Sequence, residues 1–365
     1  MTGALPRIAM VAPSLTILGG QSVQAHWLAD HLRGEGFDVE FVPINPPFPP
    51  GTRWLKRLRI LRTVTNEGLY LPSLGRLRRA DVVHVYSASY WSFLLAPVPA
   101  IMAARRLRKP VILNYHSGEA PDHLAHWGSL VHPWLKMVDE IVVPSEFLRD
   151  VFARHGYHAQ VIHNVVDTAR FPYRARVPLM PAFLSVRNFE PHYGVEQTLL
   201  AFALLQTAFP EATLTVAGMG PEEADLKHLA EALALRHVNF IGPVDPASMP
   251  SLYDVHSIFL NSSFVDNQPL SVLEAMASGM PVVSTGVGDI PHMIEDGATG
   301  TLVPAGDPAA MAKAATLLLR RPERTLLMAQ RARESLARYS WASVGPAWET
   351  LYRRLSGRAA ASVAA

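Results

Sequence analysis

The segment from Asp266 to Ala277 carries two acidic residues spaced for chemistry around the start of a helix. Asp266 stands in a loop after a strand-like run, and Glu274 lies one turn along a helix of apolar periodicity. The first turn of such a helix presents backbone N–H groups to an anion, and Glu274 could bond the diol of a ribose or sugar. The alternative is an Asp266 that caps the helix and a Glu274 on its exposed surface.

Two further polar side chains directly follow predicted strands. Arg187 comes after Phe183–Val186, where a guanidinium suits a diphosphate through forked hydrogen bonds. His116 comes after Val111–Tyr115, and ligands bind beyond the carboxyl ends of parallel strands. The simpler alternatives are a surface salt bridge for Arg187 and a structural role for His116, since the chain has 15 histidines.

Glycines mark the turn between the first strand and the first helix. Gly19 and Gly20 precede a helix over 21–33, so they permit either a tight turn or a close approach of an anion to backbone N–H groups. The dinucleotide-binding pattern G-x-G-x-x-G is absent here. It is also absent at Gly218, because Glu223 stands at the third glycine position.

The composition and missing motifs exclude several other functions. With no cysteine, the chain has no disulfide scaffold, thiolate zinc site or cysteine nucleophile. The sequence contains neither H-E-x-x-H nor a D-x-D between strand-like runs, so we expect no tightly held divalent metal. It also lacks the G-x-S-x-G of many hydrolases. A net charge of only +2 argues against general nucleic-acid binding.

The elements that must position these residues are short apolar runs alternating with amphipathic stretches, in a chain of 365 residues that is 49% hydrophobic. The alternation stops between residues 165 and 181, where prolines indicate a linker. We predict two doubly wound parallel-sheet (Rossmann-like) α/β domains facing a shared cleft, residues 1–170 and 171–340, and a final helix over about 341–357. The predicted strands are 8–12, 39–42, 82–86, 111–115, 141–143, 183–186, 214–217, 238–241, 258–260, 281–284 and 301–303.

Several of these segments occur in an order typical of one enzyme family. The most specific is the block 273–283, Leu-Glu-Ala-Met-Ala-Ser-Gly-Met-Pro-Val-Val. The others are Gly19-Gly20, His116, 143–148, 161–167 with Phe171, Arg187 and Gly242. Over roughly residues 7 to 355, the chain thereby resembles the retaining glycosyltransferases of family 4, which have the GT-B fold.

The resemblance implies a division of labour between the domains. The C-terminal domain would bind a nucleotide sugar, and the N-terminal domain would bind the acceptor. The final helix would pack back on the first domain through Trp348 and Tyr352. The implied reaction is metal-independent, retaining transfer from a UDP-sugar or GDP-sugar to a hydroxyl of a glycan, lipid-linked or small-molecule acceptor. No cofactor is implied.

The resemblance also implies residue roles. Glu274 would hold the ribose, Arg187 would neutralise the diphosphate, Gly19-Gly20 would close on it, and His116 would lie near hydroxyls of the donor sugar. The candidate catalytic residues are His116, Arg187, Asp266 and Glu274. The candidate donor-binding residues are Gly19, Gly20, Arg187, His192, Gly218, Gly242, Asp266, Asn267, Gln268, Pro269, Leu270 and Glu274.

The chain departs from the family pattern at two positions of the site. Asp266 replaces a common glutamate, so its carboxylate reaches about one methylene less. The phosphate-binding lysine that usually follows the arginine is absent, and His192 and Tyr193 lie in that region.

Alternative functions remain open at this stage. They are a sugar-nucleotide epimerase or hydrolase, a catalytically weak pseudoenzyme, and a two-lobed binding protein. Residues 53–79 are basic and amphipathic, so they could rest on an anionic membrane, although a solvated helix face is the simpler account. We expect a cytoplasmic protein without a transmembrane span, for which any membrane contact would be peripheral, at the inner membrane face.

Overall fold

The computed structural model describes residues 5–16, 19–51, 54 and 58–364, and the chain divides into two compact units. Unit 1 contains the described residues up to His163 together with those from Gly345 onward. Unit 2 runs from Asn164 to Val344. The boundaries therefore lie a few residues from the predicted ones at 170 and 340.

A parallel six-stranded sheet forms the centre of unit 1, with strand order β2–β1–β3–β4–β5–β6. Strand order reverses between β1 and β3, which is where open α/β sheets bind ligands. All residues of β1, β3 and β4 are buried, which explains their nearly continuous apolar sequences. The strands are β1 Ile8–Ala12, β2 Val39–Pro43, β3 Val82–Ser87, β4 Val111–Tyr115, β5 Glu140–Val143 and β6 Gln160–Val161.

Helices connect the strands of unit 1. Ser145 caps one of them, α7, because its Oγ accepts a hydrogen bond from the Leu148 backbone N at 3.1 Å. The helices are α1 Gly20–Gly34, α2 Arg59–Ser73, α3 Tyr90–Leu95, α4 Pro97–Arg106, α5 Ala120–His126, α6 Gly128–Leu135 and α7 Glu146–Arg154, and a 3₁₀ helix covers Leu74–Arg79.

Unit 2 also has a parallel six-stranded sheet, in the order β12–β11–β10–β7–β8–β9. Its strand order reverses between β7 and β10. Neighbouring residues Phe183 and Leu184 on β7 belong to different hydrophobic clusters, so the sheet is covered on both faces. The strands are β7 Ala182–Val186, β8 Thr213–Ala217, β9 Val238–Gly242, β10 Ile258–Asn261, β11 Val282–Thr285 and β12 Thr301–Val303. Two Rossmann-like parallel sheets confirm the predicted α/β class.

The helices of unit 2 alternate with these strands. They are α8 Val195–Ala208, α9 Glu223–Ala232, α10 Met249–Asp254, α11 Leu270–Ala277, α12 Ile290–Met293, α13 Pro308–Arg320 and α14 Pro322–Ser335, with 3₁₀ helices over Pro191–Tyr193 and Leu336–Tyr339.

The final helix, α15, runs from Trp341 to Ala364, which is longer than the predicted 341–357. From Gly345 onward it belongs to unit 1. Trp348 and Tyr352 are buried there, and the Tyr352 hydroxyl lies 2.8 Å from Nδ1 of His84 on β3. Among the residues that the structure describes, no helix is both long and apolar enough to cross a membrane.

Candidate active site

Arg187 lies where the strand order of unit 2 reverses, directly after β7. Its Nε donates to Asn261 Oδ1 at 2.8 Å, and its Nη2 donates to Asp266 Oδ2 at 2.5 Å. The Arg187 and Asp266 side chains are only 10% and 8% exposed. The guanidinium carbon also lies 5.2 Å from the ring centre of Tyr193. Arg187 is thus part of a buried ion pair, and the surface salt bridge considered from sequence is wrong.

Polar residues at the ends of β10 and β11 hold Asn261 in place beneath Arg187. Asn261 Nδ2 donates to Ser284 Oγ at 2.9 Å, and Ser263 Oγ donates to Asn261 Oδ1 at 3.0 Å. Ser263 and Ser284, the two hydrogen-bond partners, are both completely buried. This network orients the amide so that its oxygen accepts from the guanidinium.

Two glycines allow the backbone to come close to the ion pair. Gly218 has a φ of +151°, and a Cβ there would lie 1.8 Å from the Arg187 carbonyl oxygen. Gly288 has a φ of +57°, and its Cβ would lie 1.8 Å from the Asp266 carbonyl oxygen. A side chain at either position would displace one partner of the pair, so both positions require glycine.

Hydrogen bonds from Asn164 hold the loop before α11 in place. Asp266 lies in this loop but does not cap the helix. The backbone N of Asn164 donates to Gln268 Oε1 at 2.7 Å, and Asn164 Nδ2 donates to the Gln268 carbonyl at 3.3 Å. Helix α11 begins at Leu270 after Pro269, without a side-chain cap. Asp266, Asn267 and Gln268 are all buried. The N-cap interpretation of Asp266 is therefore wrong, because its carboxylate is turned toward Arg187.

Glu274 is half-buried on α11 and bonded to Tyr253. The Tyr253 hydroxyl donates to Glu274 Oε2 at 2.9 Å. Burial raises the pKa of Glu274 to about 7, against opposing effects of the Tyr253 hydrogen bond and of Arg170. Burial and Glu274 raise the pKa of Tyr253, while Arg187 acts in the opposite direction. Glu274 is therefore not the exposed helix residue considered as an alternative.

The remaining unit 2 candidates lie at or just beyond the carboxyl ends of β7, β8 and β9: His192 in the 3₁₀ helix after β7, Gly218 directly after β8, and Gly242 as the last residue of β9. The His192 carbonyl accepts hydrogen bonds from the backbone N atoms of Phe264 and Val265, just before Asp266. Gly218 N donates to the Gly242 carbonyl at 2.9 Å. The structure thus gathers the predicted donor-binding loops at one edge of this sheet.

The unit 1 candidates meet at the end of β3. The Ser87 carbonyl accepts from His116 N at 3.1 Å and from Gln21 Nε2, in the first turn of α1, at 2.9 Å. Gly20 opens that helix, and Gly19 precedes it in an extended conformation. Burial lowers the pKa of His116 to about 3, so its imidazole is neutral near pH 7.

The sequence reasoning missed Asn261, Tyr193 and Tyr253. Asn261 carries the same signal as Arg187, because it is a polar residue that ends an apolar strand. Tyr193 could have been suspected from its place in the region of the missing lysine. Tyr253 lies on α10, and nothing in its sequence context marks it. Within the described residues, no cluster of three or more His, Asp or Glu could hold a metal ion.

Comparisons with known proteins show the family to which the chain belongs. The model "Glycosyltransferase Family 4" matches residues 18–170, and "Glycosyl transferases group 1" matches residues 179–335. Glycogen synthase from Mycobacterium tuberculosis is 30% identical over 78% of this chain and 72% of that protein. Phosphatidyl-myo-inositol mannosyltransferase from Mycolicibacterium smegmatis is 26% identical over 96% of this chain and 94% of that protein.

Solved structures share the two-unit fold. HepE from Anabaena, in complex with UDP and glucose, aligns with a TM-score of 0.73 at 18% identity, covering 95% of this chain and 99% of that one. Sucrose-phosphate synthase from Thermosynechococcus elongatus aligns with a TM-score of 0.74 at 20% identity, covering 97% of this chain and 100% of that one. The chain belongs to glycosyltransferase family 4, with the GT-B fold, and it is a glycosyltransferase.

The buried ion pair leads to a stability prediction. Asp266→Ala leaves the Arg187 charge buried without its carboxylate, so we expect the free energy of unfolding to fall by about 3 kcal/mol. Asp254→Ala is the matched control, because it breaks the exposed Arg174–Asp254 pair, which should cost below about 1 kcal/mol. Urea unfolding followed by circular dichroism measures both. Equal losses in the two variants would contradict the importance of burial.

Proposed function

We propose that the chain transfers a sugar from a nucleoside diphosphate sugar to an acceptor hydroxyl, with retention of anomeric configuration and without a metal. The observation that carries the proposal is the buried Arg187 at the reversal point of the unit 2 sheet. This is where such sheets bind ligands. The proposed donor carries UDP or GDP, and the comparison with HepE, whose structure contains UDP, favours UDP.

In this proposal, unit 2 binds the donor diphosphate through Arg187 and the start of α11. A guanidinium has five N–H donors, of which Asn261 and Asp266 engage two. Asp266 holds the guanidinium in place, and Tyr193 supports it through its ring face. The backbone N–H groups of the first turn of α11 add positive potential. These groups stabilise the negative charge that develops on the leaving diphosphate.

Glu274 binds the ribose diol in this proposal, while unit 1 supplies the acceptor side. The neutral His116 imidazole hydrogen-bonds hydroxyl groups of the donor sugar, and the backbone at Gly19 and Gly20, at the start of α1, closes on the diphosphate. Retention follows if the acceptor attacks from the face that the diphosphate leaves, with the departing phosphate taking the acceptor proton. Each step uses only donors and acceptors of these residues and of the two substrates.

Transfer kinetics test the site assignment. We expect Arg187→Ala and Glu274→Ala each to reduce transfer at least tenfold, a barrier rise of roughly 1.4 kcal/mol or more. Arg324→Ala and Glu323→Ala change exposed residues of unit 2 and should leave the rate unchanged. Product NMR gives the anomeric configuration. Wild-type-like turnover in both site variants would falsify the assignment.

A donor-only assay separates transfer from its closest rivals. A hydrolase or an epimerase consumes the nucleotide sugar without an acceptor, whereas a transferase is stimulated by one. We therefore expect release of nucleoside diphosphate to rise on addition of an acceptor hydroxyl compound. A complete absence of turnover would favour a binding protein.

The raised pKa of Glu274 predicts a pH dependence of donor binding. A folded-state pKa of about 7, against an ordinary value of 4.5, means that the carboxyl stays protonated until near-neutral pH. If the Glu274 carboxylate accepts hydrogen bonds from the ribose hydroxyls, affinity for UDP-glucose or GDP-mannose should rise roughly tenfold between pH 6 and 8, because the carboxyl ionises in this range. The diphosphate of the nucleotide sugar does not titrate between pH 6 and 8, so it adds no pH dependence of its own. Titration calorimetry should show that Glu274→Gln removes this pH dependence of affinity. A wild-type affinity that does not change with pH would contradict ribose binding by the Glu274 carboxylate.

The same pKa shift has a consequence for stability. The unfolded carboxyl ionises near its ordinary value, while the folded one retains its proton to about pH 7. The unfolded state therefore binds fewer protons between these values, so this residue lowers stability as pH rises through that window.

We further propose that unit 1 rests on an anionic membrane through part of residues 53–79. Helix α2 exposes Ile60 (79%) and Val64 (63%), with Leu61 and Leu71 also exposed. Exposed arginines at 62, 76, 78 and 79 accompany them. Residues 52, 53 and 55–57 lie outside the described part of the chain. Apolar side chains with nearby positive charge are typical of proteins that lie on anionic lipid surfaces.

Vesicle sedimentation tests the membrane proposal. We expect the protein to pellet with phosphatidylglycerol-containing vesicles at low salt, with less binding to phosphatidylcholine alone and at high salt. Ile60→Ser with Val64→Ser should reduce pelleting at least fivefold. Leu327→Ser is the matched control, because Leu327 is an exposed apolar residue of unit 2. Pelleting that is unaffected by salt and by the double substitution would contradict the proposal.

A further inference from the structure

A continuous stack of four aromatic rings runs through unit 1 from α15 to His116. Trp348 stacks on His84 with ring centres 4.9 Å apart, and His84 stacks on Tyr86 at 4.8 Å. Tyr86 then stacks on His116 at 5.2 Å. The interplanar angles are 29°, 13° and 26°, so all three pairs are nearly parallel. The stack connects the C-terminal helix to a proposed catalytic residue.

The strand β3 provides the middle of this stack through its alternating side chains. His84 and Tyr86 lie two residues apart, so they face the same side of the sheet. His116 follows the neighbouring strand β4, and its backbone N is bonded to Ser87 at the end of β3. The sheet therefore sets the positions of three rings, and α15 adds the fourth.

His84 is an unusual choice for the centre of a hydrophobic strand. It is completely buried, and burial lowers its pKa to about 3, so the ring is neutral near pH 7. Its Nδ1 lies 2.8 Å from the Tyr352 hydroxyl, but its Nε2 is buried and has no hydrogen-bond partner among the described residues. An apolar side chain would avoid that cost but would leave the buried Tyr352 hydroxyl without this partner. His84 therefore joins β3 to α15 through one hydrogen bond and one ring contact.

We propose that Trp348, Tyr352 and His84 are positioning residues that act through Tyr86 to hold the His116 imidazole in its reactive orientation. The proposal rests on the proposed role of His116. Helix α15 bonds and stacks on His84, His84 fixes the Tyr86 ring, and Tyr86 supports one face of His116. Offset-stacked rings have preferred relative positions, so a change at Trp348 is transmitted along the stack.

Nuclear magnetic resonance of the histidine side chains tests the stack without any substrate. In full-length protein labelled with ¹⁵N-histidine, the imidazole signals of His116 are assigned from a His116→Gln variant. We expect Trp348→Leu to shift these signals and Trp348→Phe, which keeps an aromatic ring, to leave them close to wild type. Trp341→Leu is the matched control, since Trp341 is on the same helix but outside the stack. Unchanged His116 signals in a folded Trp348→Leu variant would overturn the proposal.

A milder variant covers the case in which Trp348→Leu does not fold. Tyr352→Phe removes only the hydroxyl that bonds His84. We expect it to shift the signals of both His84 and His116, whereas a shift confined to His84 would overturn the proposal.

Kinetics separate positioning from general destabilisation. We expect Trp348→Leu to lower kcat at least tenfold, while KM for the nucleotide sugar stays within twofold because Arg187 and Glu274, which bind the nucleotide in the proposed function, lie in unit 2. In a His116→Ala background, Trp348→Leu should lower kcat no further. An equal loss in both backgrounds would contradict action through His116. Full activity of His116→Ala would instead refute the proposed role of His116, while the NMR result would still decide whether the stack orients its ring.

Discussion

A positive charge held out of water at the end of a buried strand is the constraint around which unit 2 is organised. Arg187 follows a strand that is covered on both faces, so its guanidinium needs partners that replace water. Asp266 and Asn261 provide them, and neither is close to Arg187 in sequence. Three features place these partners. They are the polar network of β10 and β11, the close backbone approach at Gly218 and Gly288, and the hydrogen bonds from Asn164 to Gln268. The arginine is thereby ordered before any substrate arrives.

This arrangement gives physical meaning to the departures from the family pattern. The shorter carboxylate of Asp266 bonds the guanidinium directly, and Tyr193 covers the guanidinium with its ring in the region where a lysine was expected. The charge of Arg187 is therefore shared with Asp266 rather than reinforced by a second cation. In the proposed function, the start of α11 therefore supplies a larger share of the positive potential at the diphosphate.

In unit 1, the candidate catalytic residue His116 contacts the aromatic ring of Tyr86. His116 lies on a stack of aromatic rings that reaches the last helix of the chain. Because α15 begins in unit 2 and belongs to unit 1 from Gly345 onward, the chain end contributes to the unit formed by its beginning. In the proposed positioning of His116, the buried His84 is the ring that links α15 to Tyr86.

The amino-acid sequence by itself determined the α/β class, nearly every strand, the linker, the loops that carry Arg187 and Asp266, and the helix that carries Glu274. These features depend on local periodicity and on polar residues that end apolar runs, which can be read without distances. It did not reveal the short strand β6, because two residues show no pattern. Only the tertiary structure decided that Asp266 pairs with Arg187 rather than capping α11, that Tyr253 bonds Glu274, and that Trp348 reaches toward His116 through His84. Each of these depends on side chains that are distant in sequence, and their pairing is set by strand order and burial rather than by spacing along the chain.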